Sequence, residues 1–346
     1  MNTKSTSRPS VPVLITWDVD PDPWMPFDRR QKALWVTLDM CQRYSIPATF
    51  YFTAQPAHEY AEDFMKMRAL GHEIGCHGFT HGDEENYNRM PEGLQRDYIC
   101  RATDALLSVL DEPVRSFRSP RVKTSSQTLK LLAEQGYWSD SSVCSQRMDL
   151  VSSNLINFGW LGAPRRPYYP HQSSAFRRGN VPILEIPVSA LIAPFISSML
   201  YAAGLSSMKR FFRILYAEAR RTGKPIVYLA HPIEFAPMGK GKALEPLQRK
   251  YFSPSYIRAN GLRLRNLLKS DRHRHLAHTE ELLAYMASFP DVVFMTASDY
   301  TKKSVMIADG NTMEANDQTT GFHRHVLDFD AGESRPDAAS QFDLSG

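Results

Sequence analysis

The sequence predicts an α/β protein built as a parallel barrel, and three observations predict it. Short apolar, β-branched or aromatic runs alternate with helical patterns along most of the 346 residues, which is how successive βαβ units read. Seven or eight such units can be counted, a number that suits a (β/α)7–8 barrel better than an open sheet. Polar side chains follow the apolar runs, at the strand carboxyl ends where parallel α/β folds gather their chemistry.

Taken in order, the first strand is expected over 13–17, a run of Val, Leu, Ile, Thr and Trp. The helical pattern 30–44 leads to a second strand over 48–53, Ala-Thr-Phe-Tyr-Phe-Thr, rich in aromatic and β-branched residues. Shorter strands are expected over 73–76, 116–118 and 138–143, separated by helices over 94–110 and 126–135. Strands over 183–188 and 226–230 flank a helix over 208–221, and a helix over 280–288 precedes the last strand, 292–296. Residues 1–12 and 304–346 are polar, without sustained periodicity, and are expected to be disordered tails around one domain, 13–303.

Composition excludes several classes. With 42% hydrophobic and 23% charged residues the chain is globular, not disordered, collagenous or a disulfide scaffold. Cys41, Cys76, Cys100 and Cys144 form no CxxC pair, so a zinc ribbon and a thioredoxin-like motif are absent, and reduced structural thiols are expected. No apolar core follows Lys4, so no secretory signal is readable and a cytoplasmic location follows. The net charge of +4 is uneven: residues 304–346 hold eight acidic and two basic residues, which leaves the remainder at +10. Residues 240–274 carry ten Lys and Arg against Glu245 and Asp271, a stripe equally suited to an anionic ligand, a membrane surface or a solvated helix face. No nucleic-acid-binding signature accompanies it, so nucleic acid is not an expected partner. Residues 186–208 are uncharged over 23 positions, but Pro187, Pro194 and five serines argue for a loop-and-helix hood over a spanning helix. Continuation into Met208-Lys209-Arg210-Phe211-Phe212-Arg213 also permits an interfacial anchor.

The residues that could carry chemistry sit after the strands. Thr16-Trp17-Asp18-Val19-Asp20-Pro21 places two carboxylates on one face of extended chain. Such a pair binds a cation, shares a proton, or lies apart in a solvated Asp-Pro turn. Gly75-Cys76-His77-Gly78-Phe79-Thr80-His81 holds a His-x-x-x-His spacing that can turn two imidazoles to one metal, and with one carboxylate leaves positions open for water and substrate. His72 lies on the strand and is expected to be packed or hydrogen-bonded. Arg118-Ser119-Pro120, Trp138-Ser139-Asp140 and Leu229-Ala230-His231-Pro232 close three further strands, and a core histidine is the alternative for His231.

Together these residues resemble the polysaccharide deacetylase family, also called the NodB-homology or carbohydrate esterase 4 family, over roughly residues 13–300. Thr-Trp-Asp-Val-Asp-Pro replaces the family's usual Thr-Phe-Asp-Asp-Gly-Pro and resembles its Asp-x-Asp branch, which includes deformylases and imidase-like relatives. The resemblance implies a distorted barrel and a metal-dependent N-deacylase. It implies Asp18 as general base, Asp20, His77 and His81 as metal ligands, and Arg118 as the group that steadies Asp18. It further implies His231 as the acid that protonates the leaving amine, with Asp140 pairing with it. Zinc is the expected metal, with cobalt, nickel and iron as alternatives. The expected substrate is an N-acylated, chiefly N-acetylated, amino sugar or glycan, and the +10 core together with the apolar segment from 186 suggests a lipid phosphate carrier at the inner membrane face. A small-molecule amidase, deformylase or imidase and an inactive carbohydrate-binding relative are the alternatives.

Overall fold

The computed structural model describes residues 10–147, 158–236 and 272–316. The chain divides into two units, Met1–Ser304 and Val305–Gly346. The first is an eight-stranded, wholly parallel sheet with helices outside it.

The central strand β1 (Val11–Val19) is buried at all nine positions, as a strand covered on both faces must be. Helix α1 (Phe27–Arg43) follows and buries Leu34, Leu38, Met40 and Cys41 against the sheet. Then come β2 (Ala48–Phe52), α2 (Ala61–Ala69), β3 (Glu73–Cys76), α3 (Glu92–Leu110) and β4 (Ser116–Phe117). Helix α4 (Ser126–Glu134) starts at a capping box in which Ser125 and Thr128 satisfy each other's backbone N–H groups. It leads to β5 (Ser139–Asp140), α5 (Phe158–Gly162), the hairpin β6 (Pro170–His171) and β7 (Ser174–Arg178), and β8 (Leu184–Glu185). A second hairpin, β9 (Ala190–Leu191) and β10 (Ala193–Pro194), precedes the long α6 (Ser197–Thr222). Helix α6 bends at Gly204 (φ +77°) and stops at Gly223 in the left-handed conformation that glycine adopts without penalty. The last elements are β11 (Ile226–Ala230), α7 (Arg272–Ala287), β12 (Val292–Phe294) and α8 (Ala297–Asn316).

The strands run in the order β11-β1-β2-β3-β4-β5-β8, with β12 also on β1. Trp17 pairs with Ala230 and Asp18 with Tyr51, so the carboxyl ends of β11, β1 and β2 lie side by side. The gap between β8 and β11 is bridged by the chain after β8: Ser189 N–H donates to Val227 O (3.1 Å), and Val227 N–H donates to Ser189 Oγ (2.9 Å). The barrel is therefore distorted, with a seam made by a connecting segment instead of a ladder.

Several boundaries differ from the sequence reading. Strand β1 starts at Val11, inside the expected tail, because β12 supplies partners for Val11 and Pro12. Strands β4, β5 and β8 are two residues each, since the chain leaves the ladder to aim Arg118 and the serines after Asp140 inward. Residues 186–208 form the connecting segment after β8, the second hairpin and the first part of α6, and among the described residues no helix is long and apolar enough to cross a membrane. Helix α8 continues through Asn316, beyond the expected start of the acidic tail, because Lys302, Lys303, Met306 and Ala308 are good helix formers. Most of the 240–274 stripe lies outside the described residues. The four cysteines are free thiols, and burial raises Cys41 and Cys76 to about 12.

Candidate metal centre at the strand ends

Asp18 and Asp20 leave the end of β1 almost wholly buried. His77 enters directly after β3, where its Nδ1 donates to the carbonyl of Arg118 (2.8 Å). A carbonyl can only accept, so Nε2 is left as the lone-pair nitrogen. That Nε2 lies 3.3 Å from Asp20 Oδ1 and 3.8 Å from Asp18 Oδ2. His81 Nε2 lies 3.5 Å from the same Asp20 oxygen. Ligand atoms of Asp20, His77 and His81 all fall within 4.8 Å of one another. Burial disfavours a charged His77, but the Asp18 and Asp20 carboxylates outweigh it and raise its pKa above the ordinary histidine value. Two imidazoles and a carboxylate converging in a dry pocket are a donor set suited to a divalent transition metal with open coordination positions.

The two histidines do not share a helix. They lie on a loop shaped by Gly78 (φ +76°) and His81 (φ +58°) and held by a carboxylate that the sequence reading passed over. Glu85, fully buried, accepts the backbone N–H groups of Phe79, Thr80 and His81, each at 2.7 Å, and the hydroxyl of Tyr87 at 2.8 Å. Its Oε1 lies where a Cβ on residue 78 would sit, 2.5 Å away, so only glycine fits beside it. Arg121 holds the far side, donating to the carbonyls of His81 and Gly82, each at 3.0 Å.

Arg118 is completely buried, and each of its three nitrogens donates. It donates to Asp18 Oδ1 (2.7 Å), Thr16 Oγ1 (2.9 Å), Ser141 O (2.8 Å) and Ser141 Oγ (2.8 Å), and lies over the ring of Tyr51. This charge-assisted contact fixes the Asp18 carboxylate beside the three ligands.

Asp140 has a different role from the expected one. Its carboxylate accepts from Ser142 Oγ (2.7 Å) and Ser142 N (3.2 Å) and is hydrogen-bonded to Glu185. Burial pushes both acids up, Glu185 the further because Asp140 adds its charge. Ser142 Oγ in turn accepts from Ser119 N (2.8 Å), which braces the chain next to Arg118. His231 takes its carboxylate from nearer in the chain: Nδ1 lies 3.4 Å from Glu234 Oε1, three residues on in a 3-10 turn. Glu234 also accepts from Ser197 Oγ (2.6 Å) and lies 3.3 Å from His275 Nε2 on α7. The His231-Pro232-Ile233-Glu234 spacing carried that signal. His72 is packed, as expected: its Nδ1 accepts from Ala48 N (3.2 Å), and burial lowers it to about 4.

Fold and site together define a parallel α/β barrel protein in which Asp20, His77 and His81, a group that could hold a cation, converge at the carboxyl ends of the strands. Residues 5–139 match the model of the polysaccharide deacetylase family. It is 27% identical over 125 residues to a bifunctional xylanase/deacetylase of Pseudobutyrivibrio xylanivorans, covering 34% of this chain and 20% of that protein. It is 24% identical over 106 residues to a peptidoglycan deacetylase of Helicobacter pylori (strain ATCC 700392 / 26695), covering 31% of this chain and 35% of that protein. The matches thus span about a fifth and a third of these relatives. The crystal structure of the Puue allantoinase superposes with a TM-score of 0.56 at 16% identity, covering 86% of this chain and 91% of that one, a likeness of fold.

Proposed function

We propose that the chain is a metal-dependent hydrolase that removes an N-acyl group, chiefly acetyl, from an amino sugar or glycan. The observation that carries this reading is the Asp18 carboxylate, fixed by Arg118 at 2.7 Å and set against the Asp20, His77 and His81 ligand group. The match to the polysaccharide deacetylase family and the deacetylases among the similar proteins support the substrate class. The +10 charge of residues 1–303 favours an anionic form of that substrate, such as a glycan on a lipid phosphate carrier.

Asp20, His77 and His81 would hold the cation. When bound, a divalent cation polarises an amide carbonyl and makes a nearby water more acidic. Asp18 takes the proton of the attacking water, and Arg118 keeps that carboxylate aimed. His231 directly follows β11, whose last residue, Ala230, pairs with Trp17 beside Asp18, and gives a proton to the departing nitrogen. Glu234 orients His231 through its Nδ1.

Metal content by mass spectrometry tests the centre without a substrate. Near one equivalent of zinc or another divalent transition metal is expected in the wild type and a loss in Asp20→Ala and His77→Ala. Deacetylation of N-acetylated glycans by the loaded protein then completes the reading. Activity confined to formamides or cyclic imides would move the substrate to small amides. A protein that takes up no metal would be a binding relative.

A further inference from the structure

Away from the strand ends, a cavity of about 860 Å³ lies between the β9–β10 hairpin and the outer face of α6. Arg210, Arg213, Ile214 and Arg221 reach it from α6 at spacings of three, one and seven residues, which put them on one helical stripe. The opposite stripe, Met208, Phe212, Leu215 and Ala219, is buried in the fold. The acid in the cavity wall, Glu218, is already matched by Arg165 and by Lys224 (2.8 Å). Arg210, Arg213 and Arg221 have no ion-pair partner among the described residues, so the face carries uncompensated positive charge.

Apolar side chains stand beside these guanidinium groups. Ile214 is 53% exposed and Leu191 39%. Ile192, at the hairpin tip, is 66% exposed and held at φ +65°, a conformation that β-branched residues almost never adopt. A turn selected for stability alone would carry Gly or Asn there. This hairpin instead holds a large apolar side chain outward, its backbone bridged to Arg147.

We propose that this face docks on an anionic bilayer, with Arg210, Arg213 and Arg221 on lipid phosphates and Leu191, Ile192 and Ile214 entering the headgroup–acyl boundary. Cations bordering exposed apolar side chains fit that surface, and a free phosphate would leave the apolar part without purpose. Lys209 takes no part, since it turns to Glu281 (2.6 Å) on α7. The docking rests on this surface and not on the hydrolase reading, so each can fail alone.

The test is cosedimentation of the full chain with phosphatidylcholine vesicles, with and without phosphatidylglycerol. Binding only to the anionic vesicles is expected. Arg213→Glu with Arg221→Glu should weaken it at least about tenfold, from the per-charge strength of such contacts. Ile192→Asn should also weaken binding while its melting temperature stays level or rises, because Asn accepts a left-handed backbone. Absence of binding to anionic vesicles, or variants that bind like the parent, would overturn the proposal. So would calorimetric binding of inorganic phosphate that depends on Arg213 and Arg221 without vesicle binding. Metal content equal to the parent's in every variant confirms that the strand-end site is intact.

Discussion

Replacing Glu85 with Gln keeps the shape of the side chain and removes its capacity to accept at both ends. One oxygen now receives Phe79 N and Tyr87 OH, the other Thr80 N and His81 N. Whichever way the amide is turned, its NH2 faces at least one backbone N–H that has no alternative acceptor. The Tyr87 hydroxyl can rotate, but the amides cannot. A buried donor left unsatisfied costs about 1–3 kcal/mol, and loss of charge assistance at the other bonds brings the total to about 2–4 kcal/mol. For a domain of this size that lowers the melting temperature by roughly 3–7 °C. Because the same loop carries His77 and His81, metal affinity should fall about 10–100-fold, the usual effect of removing a partner behind a ligand. Scanning calorimetry and metal content after dialysis against a graded chelator series measure both. A Glu85→Gln protein that melts with the wild type and holds its metal equally well would refute the assignment of Glu85 as the brace of the histidine loop.

Gly78→Ala should damage the same loop from the other side, since its Cβ would lie 2.5 Å from Glu85 Oε1 and 2.7 Å from Pro120 Cγ. Gly71→Ala, at a similar φ of +79° but with nothing within 4 Å, isolates backbone strain. Calorimetry should show the larger loss, and chelator competition the only loss of metal affinity, at residue 78. Glu234 provides a pH test: burial would raise it, but His231 and His275 outweigh burial and hold it at about 2 against an ordinary 4.5. A carboxylate depressed in this way contributes stability above pH 4.5 that is lost as pH falls toward 2. The melting temperature of Glu234→Gln should therefore fall less steeply than the wild type's across that window, and parallel curves would contradict the pairing.

Much of this was legible in the residues. Strands β1, β2 and β11 are continuous apolar runs because both faces are covered, and such runs are hard to misread. The convergence of Asp20, His77 and His81 was legible as well, since Asp20 directly follows β1 and His77 directly follows β3, with His81 four residues further on. Glu85 was not, because Gly82-Asp83-Glu84-Glu85 reads as a solvated acidic turn. Only the folded loop shows that Glu84 stays outside while Glu85 goes in. The pairing of Asp140 failed for a related reason: a short strand fixes where a carboxylate starts, and not whether Ser142, Glu185 or a histidine claims it. The two-residue strands β4, β5 and β8 were over-read because the apolar residues continue past the last ladder bond into the core.

The pairing of β1 with β11 has a consequence for the order in which the protein is completed. Thr16 Oγ1 donates to the carbonyl of Tyr228, a contact between residues 212 apart in the chain. Strands β1 to β5, by contrast, can join neighbour to neighbour as the chain emerges. Closing so long a loop carries an entropy cost that is repaid only when the ladder zips, so such contacts form slowly. The loop histidines, Asp20 and Arg118 can thus assemble on a partly folded chain, whereas His231 arrives with the closing strand. A nascent or clipped chain that lacks β11 would keep Asp20, His77 and His81 and lack His231, so in the proposed reaction full turnover would report that both ends of the domain have met.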